Sequence, residues 1–89
     1  MQERLAANPE VVLRQDVEGA LLFNPHTGSV LLLNEVGVFI YALLDGHHTR
    51  QQIVDLLVIE YDVTAREAEQ DLDEFLARLE EGQLVGEIG

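Results

Sequence analysis

The sequence predicts an α+β fold, three strands followed by three helices, and three observations carry that prediction. Turn residues divide the first third of the chain into three short apolar runs, the apolar period changes from two to about 3.6 at Asn34, and two capping boxes, "TRQQ" and "TARE", open later helical stretches. Strands gathered ahead of helices exclude the alternating strand-helix order of a parallel sheet.

"EVVLRQD" holds a β-branched pair and runs into "VEGALLFN", so Glu18-Gly19 reads as a hairpin turn between strands near 11–16 and 20–24. "NPHTG" follows with Asn24, Pro25, Thr27 and Gly28: proline presets φ and glycine tolerates positive φ. The third strand, about Ser29 to Leu33, completes an antiparallel meander. A half-exposed strand should alternate apolar and polar residues, yet Val30, Leu31, Leu32 and Leu33 run together, so something has to cover both faces. Residues 1 to 9, with Pro9 and no clear pattern, read as a flexible N-terminal arm, and residues 10–89 as the domain.

Asn34 is a good N-cap for the first helix, with Val36, Phe39, Ile40, Leu43 and Leu44 on one face and Val38 and Tyr41 widening it. A helix this apolar around its circumference is a central one, and Gly37 within it signals close approach of another backbone. Asp45-Gly46 ends it. The second helix opens on the Thr49–Gln52 capping box and buries Ile53, Leu56, Leu57 and Tyr61. The third opens on Thr64–Glu67 and carries Ala65, Ala68, Leu72, Phe75, Leu76 and Leu79 inward, with Glu67, Glu69, Asp71, Asp73, Glu74, Glu80 and Glu81 outward. Gly82 is its expected C-cap, and "QLVGEIG" an extended tail or short strand. The short connections "DGHHT" and "DVT" resemble those of a helix-turn-helix core, and the preceding sheet makes it a winged helix-turn-helix.

Seventeen acidic residues against five arginines and no lysine give a formal charge of −12, a field that repels phosphate backbones and keeps a Leu-rich chain in solution or attracts a basic partner. Cysteine is absent, the N-terminus lacks the basic-then-apolar pattern of a signal peptide, and no apolar run approaches the roughly 20 residues of a membrane span. A cytoplasmic protein without membrane contact is the expectation.

Catalytic and cofactor chemistry find little support. His26 sits in a turn, and His47-His48 are adjacent, a spacing that points side chains apart on a regular element, so no metal site is expected. Ser29, the only serine, lies in a strand with no base placed beside it. Asp71 and Glu74 are on adjacent helical turns but on a solvated acidic face, and there is no glycine-rich phosphate loop; no cofactor is expected. A winged core invites DNA binding, but the third helix offers Arg66 and Arg78 against seven acids, where a recognition helix needs basic residues for phosphates.

With these residues laid out, the chain resembles the PqqD-like family, the peptide-recognition elements of pathways that modify ribosomally made peptides (RiPP recognition elements), named after a pyrroloquinoline quinone biosynthesis protein. The likeness is carried by the glycine-containing hairpin, Leu33-Asn34 followed by Gly37, Asp45-Gly46 with Thr49, the Tyr61-Asp62-Val63 exit, and Asp71 with Phe75-Leu76, over roughly residues 11 to 85. The resemblance implies a peptide chaperone rather than an enzyme. A precursor's leader peptide would add a strand beside the third strand, against the third helix, and be presented to a separate modifying enzyme, often a radical S-adenosylmethionine protein.

The peptide-binding residues expected on that basis are Ser29, Val30, Leu31, Leu32 and Leu33 on the strand and Asp71, Phe75, Arg78 and Leu79 on the helix. The strand's free edge would supply backbone hydrogen bonds, with Phe75 as an apolar anchor and the charges reading leader side chains. Periodicity leaves open whether the Asp71–Phe75–Arg78 flank or the Glu69–Asp73–Glu80 flank faces the strand, and whether Phe75 and Leu79 are simply core. A homodimer partner or the N-terminal arm are the other candidate covers for the strand. A docking subunit of a modifying enzyme and a winged-helix DNA-binding regulator are the alternative functions.

Overall fold

A computed structural model describes residues 4–17, 19–81 and 85–88. The chain runs β1 (Arg4–Ala7), β2 (Val12–Asp16), β3 (Gly19–Phe23), β4 (Val30–Leu33), α1 (Glu35–Leu43), β5 (Asp45–Thr49), α2 (Arg50–Tyr61), α3 (Ala65–Glu81) and β6 (Val85–Ile88). The α+β order holds: β2, β3 and β4 form an antiparallel meander and the three helices follow.

The turns of the meander are built from the residues the sequence marks. Gly19 stands at φ +148° and its N–H donates to Asp16 Oδ1, while Glu18 of the expected turn lies outside the described residues. In the second turn the buried Asn24 accepts the His26 N–H on Oδ1 and the Gly28 N–H on its carbonyl, and Gly28 adopts φ +77°. A short polar side chain here replaces backbone partners that the turn leaves open.

Two segments differ from the sequence expectation. The N-terminal segment read as a loose arm contains β1, the middle strand of a second sheet ordered β5-β1-β6, with Ala6 buried. "DGHHT", expected as a turn between helices, is β5 itself, its register to β1 shifted between Leu5 and Ala6. Both are cases of long-range pairing overriding weak local propensity: neither segment has strand-like periodicity, but each gains a ladder from its neighbours. The tail strand falls within "QLVGEIG", and Gly82 lies outside the described residues.

The caps of the helices behave largely as expected. Asn34 Oδ1 accepts the Gly37 N–H at 2.8 Å, and Thr49 and Gln52 form a reciprocal capping box. At α3 the box is altered: Thr64 Oγ1 accepts the Glu67 N–H and donates to the Glu67 carboxylate. Asp62 ends α2 in the left-handed region, a conformation its short polar side chain tolerates.

The core joins both layers through Leu22, Leu33, Ile40, Leu44, Ile53, Val54, Leu57, Ala68, Leu72, Phe75 and Leu79. Phe39 and Tyr61 add an edge-to-face ring pair at 5.4 Å. On the surface of α3, Asp73 is paired with Arg50 at the start of α2. Of the meander's two outer strands, β2 and β4, it is β4 that lies next to the start of α1 and one flank of α3.

Candidate peptide-binding groove

β4 pairs with β3 on one side, and among the described residues no strand pairs with the other. The phase of the ladder follows from one bond. Asn24 N–H donates to the Ser29 carbonyl at 2.9 Å, and alternation along the Phe23↔Val30 to Ala20↔Leu33 register then turns the backbone groups of Ser29, Leu31 and Leu33 toward β3. Those of Val30 and Leu32 point to the free edge. The side chains divide the same way: Leu33 is buried and Leu31 half-buried, whereas Val30 and Leu32 are 56% and 75% exposed. The unbroken apolar run thus divides into an inner pair that serves the core and an outer pair that does not.

Beside that edge lies a groove of two adjoining cavities. One, of about 320 Å³, is lined by Leu31, Leu32, Leu33, Asn34, Gly37, Phe75 and Arg78; the other, of about 270 Å³, by Asn34, Val36, Gly37, Ile40, Asp71, Glu74, Phe75 and Arg78. Of the two flanks of α3, the one that meets the strand is therefore Asp71–Phe75–Arg78. Phe75 belongs to both the core and the groove: it is 8% exposed, yet its ring lines both cavities.

Gly37 is what lets the ring in. A β-carbon there would lie 3.3 Å from Phe75 Cε1 and 3.4 Å from both Asn34 Oδ1 and Leu33 Cδ2. The close approach expected at this glycine is thus made by an aromatic side chain rather than another backbone.

Leu79, expected among the peptide-binding residues, has no exposed surface and belongs to the core, because it falls on the inner stripe one helical turn from Phe75. Ser29 and Val30 do not line the groove; Ser29 precedes β4, and its N–H and hydroxyl are engaged by Thr27 Oγ1. Asn34, Val36, Gly37, Ile40 and Glu74 line it and were not among the expected site residues. Glu74 was legible in principle, since it lies three residues from Asp71 and four from Arg78, on the same helical flank.

Three groups outside the groove have shifted pKa values. Burial pushes the Tyr41 hydroxyl up, and burial with nearby Glu35 and Glu60 raises that of Tyr61. The Asp45 carboxyl is held below its usual range by a hydrogen bond from His48 Nδ1 and another from the His47 N–H. Among the described residues no three His, Asp or Glu side chains converge as a metal site, and no helix is long and apolar enough to cross a membrane.

Two solved structures share the fold. One is "TbiB1 in Complex with the TbiA(beta) Leader Peptide", 28% identical, with TM-score 0.80 over 94% of this chain and 98% of that one. The other, "Lasso peptide synthetase B1 complexed with the leader peptide", is 24% identical, with TM-score 0.81 over 93% and 98% of the two chains, and supports the fold alone. No curated protein matches the sequence significantly. Residues 19–85 match the family model described as coenzyme PQQ synthesis protein D (PqqD), three quarters of the chain from β3 to the start of β6, and the protein accordingly belongs to the PqqD family.

Proposed function

We propose that this chain binds the leader region of a ribosomally made precursor peptide by strand addition to β4 and presents it to a separate modifying enzyme. The observation that carries the proposal is the free backbone edge of β4 at Val30 and Leu32, with Leu32 lining the groove opposite Phe75. Strand addition gives main-chain hydrogen bonds for affinity and lets alternate side chains enter pockets for selectivity. The structure related at 28% identity holds a leader peptide, which agrees with this use of the fold.

In this reading the chain catalyses nothing itself, acts in the cytoplasm, and leaves the chemistry to its partner, a radical S-adenosylmethionine protein or another tailoring enzyme. The N-terminal arm is not the cover for β4, since β1 is taken up between β5 and β6. The outer face of the meander, where Val12, Phe23 and Val30 align across the three strands and all are exposed, is the apolar surface we assign to enzyme docking. DNA binding is disfavoured by the acidic surface of α3, where Arg66 and Arg78 stand among seven carboxylates.

The test is an amide NMR titration with the leader segment of a short precursor peptide encoded beside this gene. Strand addition predicts shifts concentrated at Val30–Leu33 and along Asp71–Arg78. Binding to the enzyme without any binding of the leader would instead make the chain a docking subunit, and dimerisation that occludes β4 would make a second copy its occupant.

A further inference from the structure

The groove is not uniformly charged. Arg78 lines both cavities, including the one formed by Leu31 to Leu33, whereas Asp71 and Glu74 line only the one that extends to Val36 and Ile40. Moving along the groove from β4 toward α1, a bound strand passes a guanidinium first and two carboxylates afterwards. Among the described residues none of the three is held by an opposite charge: the close pairs there, such as Arg50–Asp73, do not involve the groove. The contrast with the opposite flank of α3 is informative, because there Asp73 is paired with Arg50. Glu74 and Arg78 even have the i, i+4 spacing at which such pairs form, and they remain apart.

Resting on the leader-binding reading above, we infer that the groove selects a peptide carrying one basic and one acidic side chain two residues apart on the same face of the added strand. The basic group lies against Asp71 and Glu74, the acidic group against Arg78. The spacing follows from two repeats. Helical rise puts Glu74 and Arg78 about 6 Å apart along the axis and Asp71 and Arg78 about 10.5 Å. Same-face residues of a strand stand about 6.6 Å apart when two positions separate them and about 13 Å when four do. A two-residue spacing matches the first distance, and a four-residue spacing overshoots the second. Phe75 stands between the charged positions, where the added strand's intervening side chain points away, so the ring meets the strand backbone and the apolar stems of the two charged side chains. The order of the charges reports strand direction: a strand antiparallel to β4 meets the carboxylates first and reads basic then acidic, a parallel one the reverse.

The probe is a display library of random peptides of about twelve residues, enough for one strand and its flanks, panned on the intact chain. Selected peptides are synthesised and sorted by whether they shift the Val30 and Leu32 amides. Those that do are expected to share the paired charges in a single order, and panning on Arg78→Glu is expected to replace the acidic residue by a basic one. Neutralising either charge in a selected peptide should weaken binding about two- to fivefold, an effect that shrinks between about 0.05 and 0.5 M salt. Arg78 is exposed, so the variant should fold, and Arg78→Gln, expected to lose the acidic preference without acquiring a basic one, gives a second reading of the same site. Peptides that shift those amides without the charge pair, or whose composition is indifferent to both Arg78 variants, overturn this inference and leave strand addition standing. A selection in which no peptide shifts those amides overturns strand addition itself and the charge rule with it.

Discussion

Gly37 and Phe75 meet at the base of the groove, where a β-carbon on the glycine would stand 3.3 Å from the edge of the ring. An aromatic anchor that is buried enough to be rigid and placed enough to be touched by a ligand needs a neighbour with no side chain. Gly37→Ala sets the gain in helix propensity, up to about 1 kcal/mol, against crowding of the ring. The expected outcome is a thermal stability close to the parent with a leader affinity several-fold weaker, as the ring is pushed into the space a peptide would use. Calorimetric titration beside a melting curve checks both halves.

Leu32→Pro tests the strand edge. Proline removes the Leu32 N–H, which does not serve the ladder to β3, and edge strands tolerate proline when that N–H faces away from the sheet. Leader binding should fall at least about tenfold, the scale of one or two lost backbone hydrogen bonds, while stability drops by no more than about 1 kcal/mol. A variant that still binds at parental affinity would remove strand addition from consideration.

Leu79 and Phe75 should separate cleanly. Leu79→Ala empties a fully enclosed core position and should cost about 2–5 kcal/mol, yet the molecules that remain folded should bind the leader as before. Phe75→Leu keeps most of the volume and should cost roughly 1 kcal/mol of stability while weakening binding more than tenfold. Denaturant curves paired with titrations at a denaturant-free, low temperature distinguish the two.

Acidification should reveal Asp45. Its folded pKa lies below the unfolded value, so the folded state binds fewer protons there; the stabilisation is present above the usual carboxylate range near pH 4 and is lost as pH falls through the depressed folded value. Asp45→Asn should lower the melting temperature slightly at neutral pH and flatten its decline between about pH 5 and pH 2. An unchanged acid limb would show that the His48 and His47 contacts add nothing in solution.

How much of this was legible in the sequence depends on the range of the interaction concerned. Asn34, Thr49 and Gln52 act within one helical turn, and their caps could be read directly. The period change at Asn34 likewise located the meander and α1. β1 and β5 could not be found that way, because "RLAA" and "DGHHT" become strands through long-range pairing, with each other across some forty residues of chain and, for β1, with β6 as well. For α3 the heptad-like stripe identified Leu79 and Phe75 as inward but not how far each reaches; the gap left by Gly37 makes the difference, and it is a tertiary fact. Composition makes Glu74 one more carboxylate of a solvated acidic face, whereas its spacing from Asp71 and Arg78 puts it on their flank.

The pairing of Arg4 with Ile88 in the small sheet has a practical corollary. Partners across an antiparallel ladder lie about 5 Å apart, so the backbone enters and leaves this fold at nearly one point. The domain is thereby shaped like a plug: it could be grafted into a surface loop of a larger protein with almost no separation between the splice sites. The same proximity would let a few glycines join residue 88 to residue 4.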